Sequence, residues 1–188
     1  MTKEKIRAEL LTKRRKLEKY IVLEKSKKIE KKLFTTNEFK KAAIIMFYIS
    51  YNNEVFTHDM IKKCLKTSKK IIVPAVNKEK NKLILSELIS WDHLEKGAYN
   101  ILEPKKKFIK ETSIDEIDLI IVPGLGFDLK GNRIGHGKGF YDRLLRIPKV
   151  KKIGLAFEWQ IFDEIPTDNH DIPINMIISE KRIISCLR

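Results

Sequence analysis

The sequence predicts a single three-layer α/β/α domain with a central, mostly parallel sheet. Three observations carry that prediction. Short apolar runs rich in β-branched residues, Ala42 to Ile49, Lys70 to Pro74, Ile117 to Val122 and Lys152 to Phe157, read as buried strands alternating with helical patterns. Six of the chain's eight glycines fall between Gly124 and Gly139, so backbone freedom is gathered into one loop directly behind a strand. No internal repeat, low-complexity tract or interdomain linker divides the 188 residues, a length that supports one core covered on both sides.

The first element expected is an amphipathic helix from Lys3 to Lys19. Ile6, Leu10 and Leu17 form its apolar stripe, with Leu11 at the margin and bases around the rest. Lys3 and Arg7 are four residues apart and share a face. A second helix is expected over Ile21 to Leu33, broken by Thr35, Thr36 and Asn37. Glu54 sits just past the end of the Ala42 to Ile49 strand, where open α/β sheets keep their ligands. A lone glutamate in a loop is most often solvated, so the residues alone do not carry a functional reading of Glu54. Thr57 or Asp59 opens a helix to about Leu65, and Leu83 to Leu88 is a third extended run preceded by a hairpin around Asn77 to Asn81. Trp91 to Pro104 reads as an irregular connection and Lys105 to Lys107 as an exposed basic run. Beyond the glycine loop, Tyr141, Leu144 and Leu145 share a helical face; Ile165 to Asp171 is a polar loop, and Ile174 to Ile178 and Arg182 to Leu187 are strand-like.

Composition narrows the function classes. Hydrophobic residues at 43% argue for a packed core rather than disorder. The N-terminus is charged from its third residue and no apolar run is long enough to span a bilayer, so a cytoplasmic protein without signal peptide or membrane contact is expected. Cys64 and Cys186 lie far apart without a CxxC pattern and read as reduced structural thiols. Net charge is +14, and the first 32 residues carry 13 Lys or Arg against 5 Glu. That excess suits an anionic small molecule or a nucleic acid, and equally a solvated lysine-rich surface. The basic helices lack the interleaved aromatics of an RNA-stacking surface, so no nucleic-acid partner is expected.

The chemistry concentrates in Val122 to Leu145, VPGLGFDLKGNRIGHGKGFYDRLL, read as strand, long glycine loop and helix. Gly131, Gly135, Gly137 and Gly139 can take positive φ and leave the backbone open to a ligand. Arg133 and Lys138 add cations, and Asp142 adds a carboxylate within reach of a metal. Amides, cations and one acid suit a nucleotide phosphate with magnesium, while a plain turn is the alternative for the same residues. The spacing matches neither the GxxxxGK[ST] nor the GxGxxG pattern. The four histidines are scattered without zinc spacing, and no GxSxG elbow or activated cysteine is present.

The motifs taken in order resemble the 5-formyltetrahydrofolate cyclo-ligase family, also called methenyltetrahydrofolate synthetases. They are K-x-x-x-R at Lys3 and Arg7, YIS with trailing Glu54, and Gly97, Ile101, Glu103 and Pro104. VPGLGFD, GNRIGHGKGFYDRLL and a closing IGLAF-x-x-Q-x-F-x-x-IP-x-x-x-HD complete the set, so that the likeness runs nearly the full length. The resemblance implies ATP- and magnesium-dependent conversion of 5-formyltetrahydrofolate, polyglutamylated or not, to 5,10-methenyltetrahydrofolate, with release of ADP and phosphate. It places ATP contacts on Lys3, Arg7, Arg133, Ile134, Gly135, His136, Gly137, Lys138, Gly139, Phe140 and Tyr141. It places folate contacts on Ile49, Glu54, Tyr99 and the run His136, Gly137, Lys138, Gly139 and Phe140. Lys138 and Arg133 take the catalytic roles, and Asp142 and Asp171 become the magnesium ligands. Glu54 would suit the donor-rich edge of the pterin. The chain departs from the family at His136, where Tyr or Arg is common, at Phe140, where Tyr is common, and at Asn175, where Asp is common. A monomer is expected, with a dimer as the alternative. Other readings are a phosphate-binding enzyme of related fold, such as a sugar-phosphate isomerase or acyl transferase, and a basic nucleic-acid-binding protein.

Overall fold

The apolar runs of the sequence line up as the middle of one twisted sheet in the structure, a computed structural model that describes residues 2–77, 82–97, 100–137, 139, 141, 144–168 and 171–186. In chain order the elements are α1 (Lys3–Arg15), α2 (Lys19–Thr35), α3 (Asn37–Lys41), β1 (Ile44–Met46), α4 (His58–Cys64), β2 (Lys70–Asn77), β3 (Lys82–Glu87), β4 (Leu94–Lys96) and β5 (Leu102–Pro104). They continue as β6 (Leu119–Val122), β7 (Gly126–Asp128), β8 (Arg133–Ile134), β9 (Lys151–Leu155), β10 (Ile161–Phe162), β11 (Met176–Ile178) and β12 (Ile183–Ser185).

Among the described residues the main sheet has seven strands in the order β12-β11-β9-β6-β1-β2-β3. Its inner pairs are parallel, with Ile45 opposite Ile71 and Leu119, and Ile121 opposite Ile153. Only the edge strands β3 and β12 run antiparallel. The continuous apolar runs have a physical reason: alternate residues of each strand enter different cores, so both faces need apolar side chains. Ile45, Ile71, Leu119, Ile121 and Ile153 face one core with Ile29 and Leu33 of α2, Phe39 of α3 and Ile61 of α4. Met46, Ile72, Ile120, Val122 and Ile177 face the other, with Ile117, Phe127, Leu145 and Val150. Each such side chain contributes about 1.5–3 kcal/mol by leaving water. The second face is covered by short pieces, a 3₁₀ turn at Ile114–Glu116 and a helical turn in which Leu145 N donates to Tyr141 O at 2.7 Å.

The structure revises several local expectations. α1 ends at Arg15, where Leu17 N turns back onto the Arg14 carbonyl; Asn53 Nδ2 donates to the carbonyls of Arg14 (3.2 Å) and Leu17 (2.9 Å) just past the end. Thr36 does break the second helix, but its hydroxyl accepts from Phe39 N and starts α3. Trp91 to Pro104 is not wholly irregular: β4 and β5 pair antiparallel, with Glu95 opposite Glu103. Lys106–Phe108 forms a 3₁₀ turn.

The largest difference lies in the glycine loop. β7 and β8 pair antiparallel within it, and β10 joins β7 in parallel to make a second, three-stranded sheet. Buried Asp128 ties the turn, accepting from Lys130 N (3.0 Å), Asn132 N (2.9 Å) and Asn132 Nδ2 (2.8 Å). Gly131 closes it at φ +86°, and a Cβ there would lie 2.4 Å from the Ile174 carbonyl oxygen. Gly131→Ala is therefore expected to destabilise the protein by about 2–4 kcal/mol, read as a lowered urea midpoint.

Candidate active site

A cleft of about 490 Å³ opens at the carboxyl ends of β1, β2 and β6, within the size range of small-molecule sites. Pro74, Val76, Leu83, Ile101 and Leu102 give it an apolar wall. Glu54, Arg133, His136 and Tyr141 supply the polar side, with Gly135, Gly137 and Gly139 of the glycine loop as its rim. Ile49 lines the floor and is buried.

Glu54 is not a solvated loop residue. It is 7% exposed, and its Oε1 lies 3.2 Å from Arg14 Nη1 and 3.5 Å from His136 Nε2, while Oε2 accepts from Tyr51 N at 3.2 Å. Arg14, in the last turn of α1, is 2% exposed and was not picked out by the sequence reading. A signal was available. Arg14 follows Arg7 by seven residues and Leu10 by four, which puts it on the buried stripe, but it is hidden in the basic run Lys13 to Lys16.

α1 lies over the glycine loop, with Ile6 and Leu10 packed on Leu125, Ile134 and Ile165. That placement sends Arg7 Nε to the Gly135 carbonyl at 2.9 Å. Gly137 takes φ +87°, and a Cβ there would stand 3.6 Å from Arg7 Cζ, so arginine and loop backbone meet directly. Lys3 donates to Asp171 Oδ2 and, at 2.6 Å, to Asp168 Oδ2; Asp168 N also donates to Asp171, at 2.7 Å. Burial works against the Lys3 ammonium, but the hydrogen bonds and charges of the two aspartates outweigh it and raise its pKa.

Tyr141 stands between the buried acid and Arg133, whose guanidinium lies 5.8 Å from the Tyr141 ring centre. Burial, then the charge of Glu54, pushes the phenol pKa far up, so it is a hydrogen-bond donor at neutral pH. Its hydroxyl is buried and finds no partner among the described residues. Arg133 is itself buried, and its Nη1 donates to Pro123 O at 3.4 Å.

The fold thus brings Arg7, Ile49, Glu54, Arg133, Gly135, His136, Gly137, Gly139 and Tyr141 to one cleft or its rim. Lys3 and Asp171 meet each other at the start of α1. The Ile134 side chain points into the core beneath α1, away from the cleft. Tyr99, Lys138, Phe140 and Asp142 lie outside the described residues. Asn175 has a structural place, its Oδ1 accepting from Lys152 N at 2.9 Å between β9 and β11. Cys64 and Cys186 are free and buried, and burial raises each thiol pKa to about 11, so neither is poised as a nucleophile. Among the described residues no helix is long and apolar enough to cross a membrane.

A buried acid, arginines and a glycine loop gather around one cleft at a parallel sheet's carboxyl edge, the place where open α/β sheets keep their ligands. A profile of the 5-formyltetrahydrofolate cyclo-ligase family matches residues 1–180, and the chain belongs to that family, which makes it a ligase. It is 33% identical over 186 residues to the 5-formyltetrahydrofolate cyclo-ligase of Mus musculus, covering 93% of this chain and 92% of the mouse protein. The solution structure of the Aquifex aeolicus 5,10-methenyltetrahydrofolate synthetase superposes with a TM-score of 0.89 at 34% identity, over 100% of this chain and 94% of that one. A 5,10-methenyltetrahydrofolate synthetase from Mycoplasma pneumoniae shares the fold, with a TM-score of 0.76 at 23% identity over 96% and 99% of the two chains.

Proposed function

We propose that this chain acts as one cyclo-ligase domain that converts 5-formyltetrahydrofolate to 5,10-methenyltetrahydrofolate, using ATP and magnesium and releasing ADP and phosphate. The observation that carries the proposal is the convergence of buried Glu54, Arg133 and the glycine loop, braced by Arg7, on one half-apolar cleft. The apolar wall suits the flat folate ring system, and the loop's backbone and cations suit a triphosphate.

The formyl oxygen is a poor leaving group. Transfer of the γ-phosphoryl to that oxygen makes it a good one and releases ADP. The bridging amine of the folate then attacks the activated carbon, the carbon–oxygen bond breaks, and phosphate leaves as the ring closes and the amine gives up its proton. No protein nucleophile is needed, and the protein's work is alignment and charge stabilisation. Glu54 accepts hydrogen bonds from the pterin's donor edge. The Tyr141 hydroxyl donates into the cleft, and Arg133 and Lys138 face the transferring phosphoryl. Arg7 and Lys3 serve the phosphates from α1.

Carboxylate oxygens are the donors magnesium prefers. Among the described residues no three metal-ligating side chains cluster, and Asp171 Oδ2 is engaged by the Lys3 ammonium, so a magnesium ion held here would displace that ammonium and take its remaining ligands from phosphate and water. Asp171 and Asp142 would hold the magnesium, which when bound supplies neutralisation of phosphate charge. The proposed working form is a monomer. The net charge of +14 favours polyglutamylated folates among its substrates.

The test is optical. Purified protein mixed with 5-formyltetrahydrofolate, magnesium and ATP should give the near-ultraviolet absorbance of the methenyl product, and the mixture without ATP should not. A folded protein that binds ATP and gives no rise would overturn the proposal.

A further inference from the structure

We propose that Arg14 is the positioning residue of the folate half of the cleft: it holds Glu54 in place from behind and touches no substrate itself. The proposal rests on the cyclo-ligase reading. A carboxylate has about four lone-pair sites. Arg14 Nη1 takes one on Oε1 and Tyr51 N takes one on Oε2, which fixes the plane of the group and leaves acceptor capacity toward the cleft that Glu54 lines. Arg14 is not among the residues lining that cleft. Its guanidinium lies 6.0 Å from the Tyr51 ring centre, on the side of the loop away from solvent.

A second contact shows that this is a docked joint and not a single ion pair. Asn53, in the left-handed region at φ +58°, turns its amide onto the carbonyls of Arg14 and Leu17. The loop bearing Glu54 is thereby fastened to the end of α1 by both side chain and backbone. Seven residues earlier, about 10 Å along the helix, Arg7 fastens α1 to the glycine loop. One rigid helix therefore sets the spacing between the acid that would read the pterin and the loop that would hold the phosphates. Through His136, 3.5 Å from Glu54, the two halves also meet directly.

The experiment measures equilibrium binding of 5-formyltetrahydrofolate by calorimetry, without ATP, alongside KM for folate and for ATP. Arg14→Gln keeps a donor but removes the charge. It should weaken folate binding and raise folate KM by about tenfold or more, with the KM for ATP unchanged. Arg14→Lys restores a positive charge behind Glu54 and should recover part of the folate affinity that Arg14→Gln loses, the ammonium lacking arginine's planar fork. A merely structural role would move both KM values together and would not be rescued by lysine. Wild-type folate binding with an equally tight Arg14→Gln variant would overturn the proposal and leave the cyclo-ligase reading intact. A folded wild type that binds no folate would overturn that reading, and this one with it.

Discussion

Alanine at Lys138 is expected to lower turnover at saturating ATP by about 100-fold or more, while the thermal midpoint moves by no more than about 2 °C. The reason lies in how the loop around it is built. Gly137 and Gly139 take φ +87° and +66°, and Arg7 grips the Gly135 carbonyl, so the turn is made by backbone and by a contact from α1. Among the described residues these backbone and helix contacts set the turn's shape. The proposed mechanism assigns Lys138 to the transferring phosphoryl, where charge would concentrate in the reaction. In a cleft walled by Pro74, Val76 and Leu102, water would be a poor substitute for the positive charge that the proposed mechanism assigns to Lys138. The loss should fall on kcat more than on the KM for ATP, since in the proposed site the triphosphate would keep the loop amides and Arg7. Unchanged turnover would remove Lys138 from the mechanism and leave Arg133 as the cation at the reacting oxygen.

The same loop shows what a sequence makes legible. β1 and β6 could be read because a strand buried on both faces must be apolar at every position, and a run such as Leu119–Val122 has few other uses. β7 and β8 could not, because strands of two or three residues interrupted by glycines leave no period to detect. The ribbon of β4 and β5 failed for the same reason. Glu54 follows a strand and lines the cleft, yet its burial rests on pairing with Arg14, forty residues away, and charge pairing at that separation has no local signature. Asp168 and Asp171 likewise acquire a partner, Lys3, from the far end of the chain. The family resemblance supplied the reaction, and only the fold tells which side of each residue faces the cleft. Ile134 is the instructive case: it lies in the glycine motif, but its neighbours on both sides face the cleft while its own side chain is in the core.

Glu54→Ala should cost about 3–5 kcal/mol of stability and most of the folate affinity, and the two losses can be separated. The stability term comes from Arg14. At 2% exposure its guanidinium cannot recover hydration when the carboxylate goes, so the variant holds a buried charge without its ion-pair partner. Replacing both members by apolar residues of similar size removes that penalty, since neither charge then has to be desolvated. Arg14→Met combined with Glu54→Leu should therefore unfold in urea well above Glu54→Ala alone, short of the wild-type midpoint by the cost of leaving Tyr51 N without its acceptor. Folate binding should not follow. The double variant has a sound core but no carboxylate toward the pterin, so its folate KM should stay as high as that of Glu54→Ala. A double variant that regained both stability and folate KM would show that Glu54 serves the fold alone, and the acceptor for the pterin would then have to be sought elsewhere on the polar side of the cleft. If stability returns without affinity, the buried pair is a functional arrangement that the fold could do without.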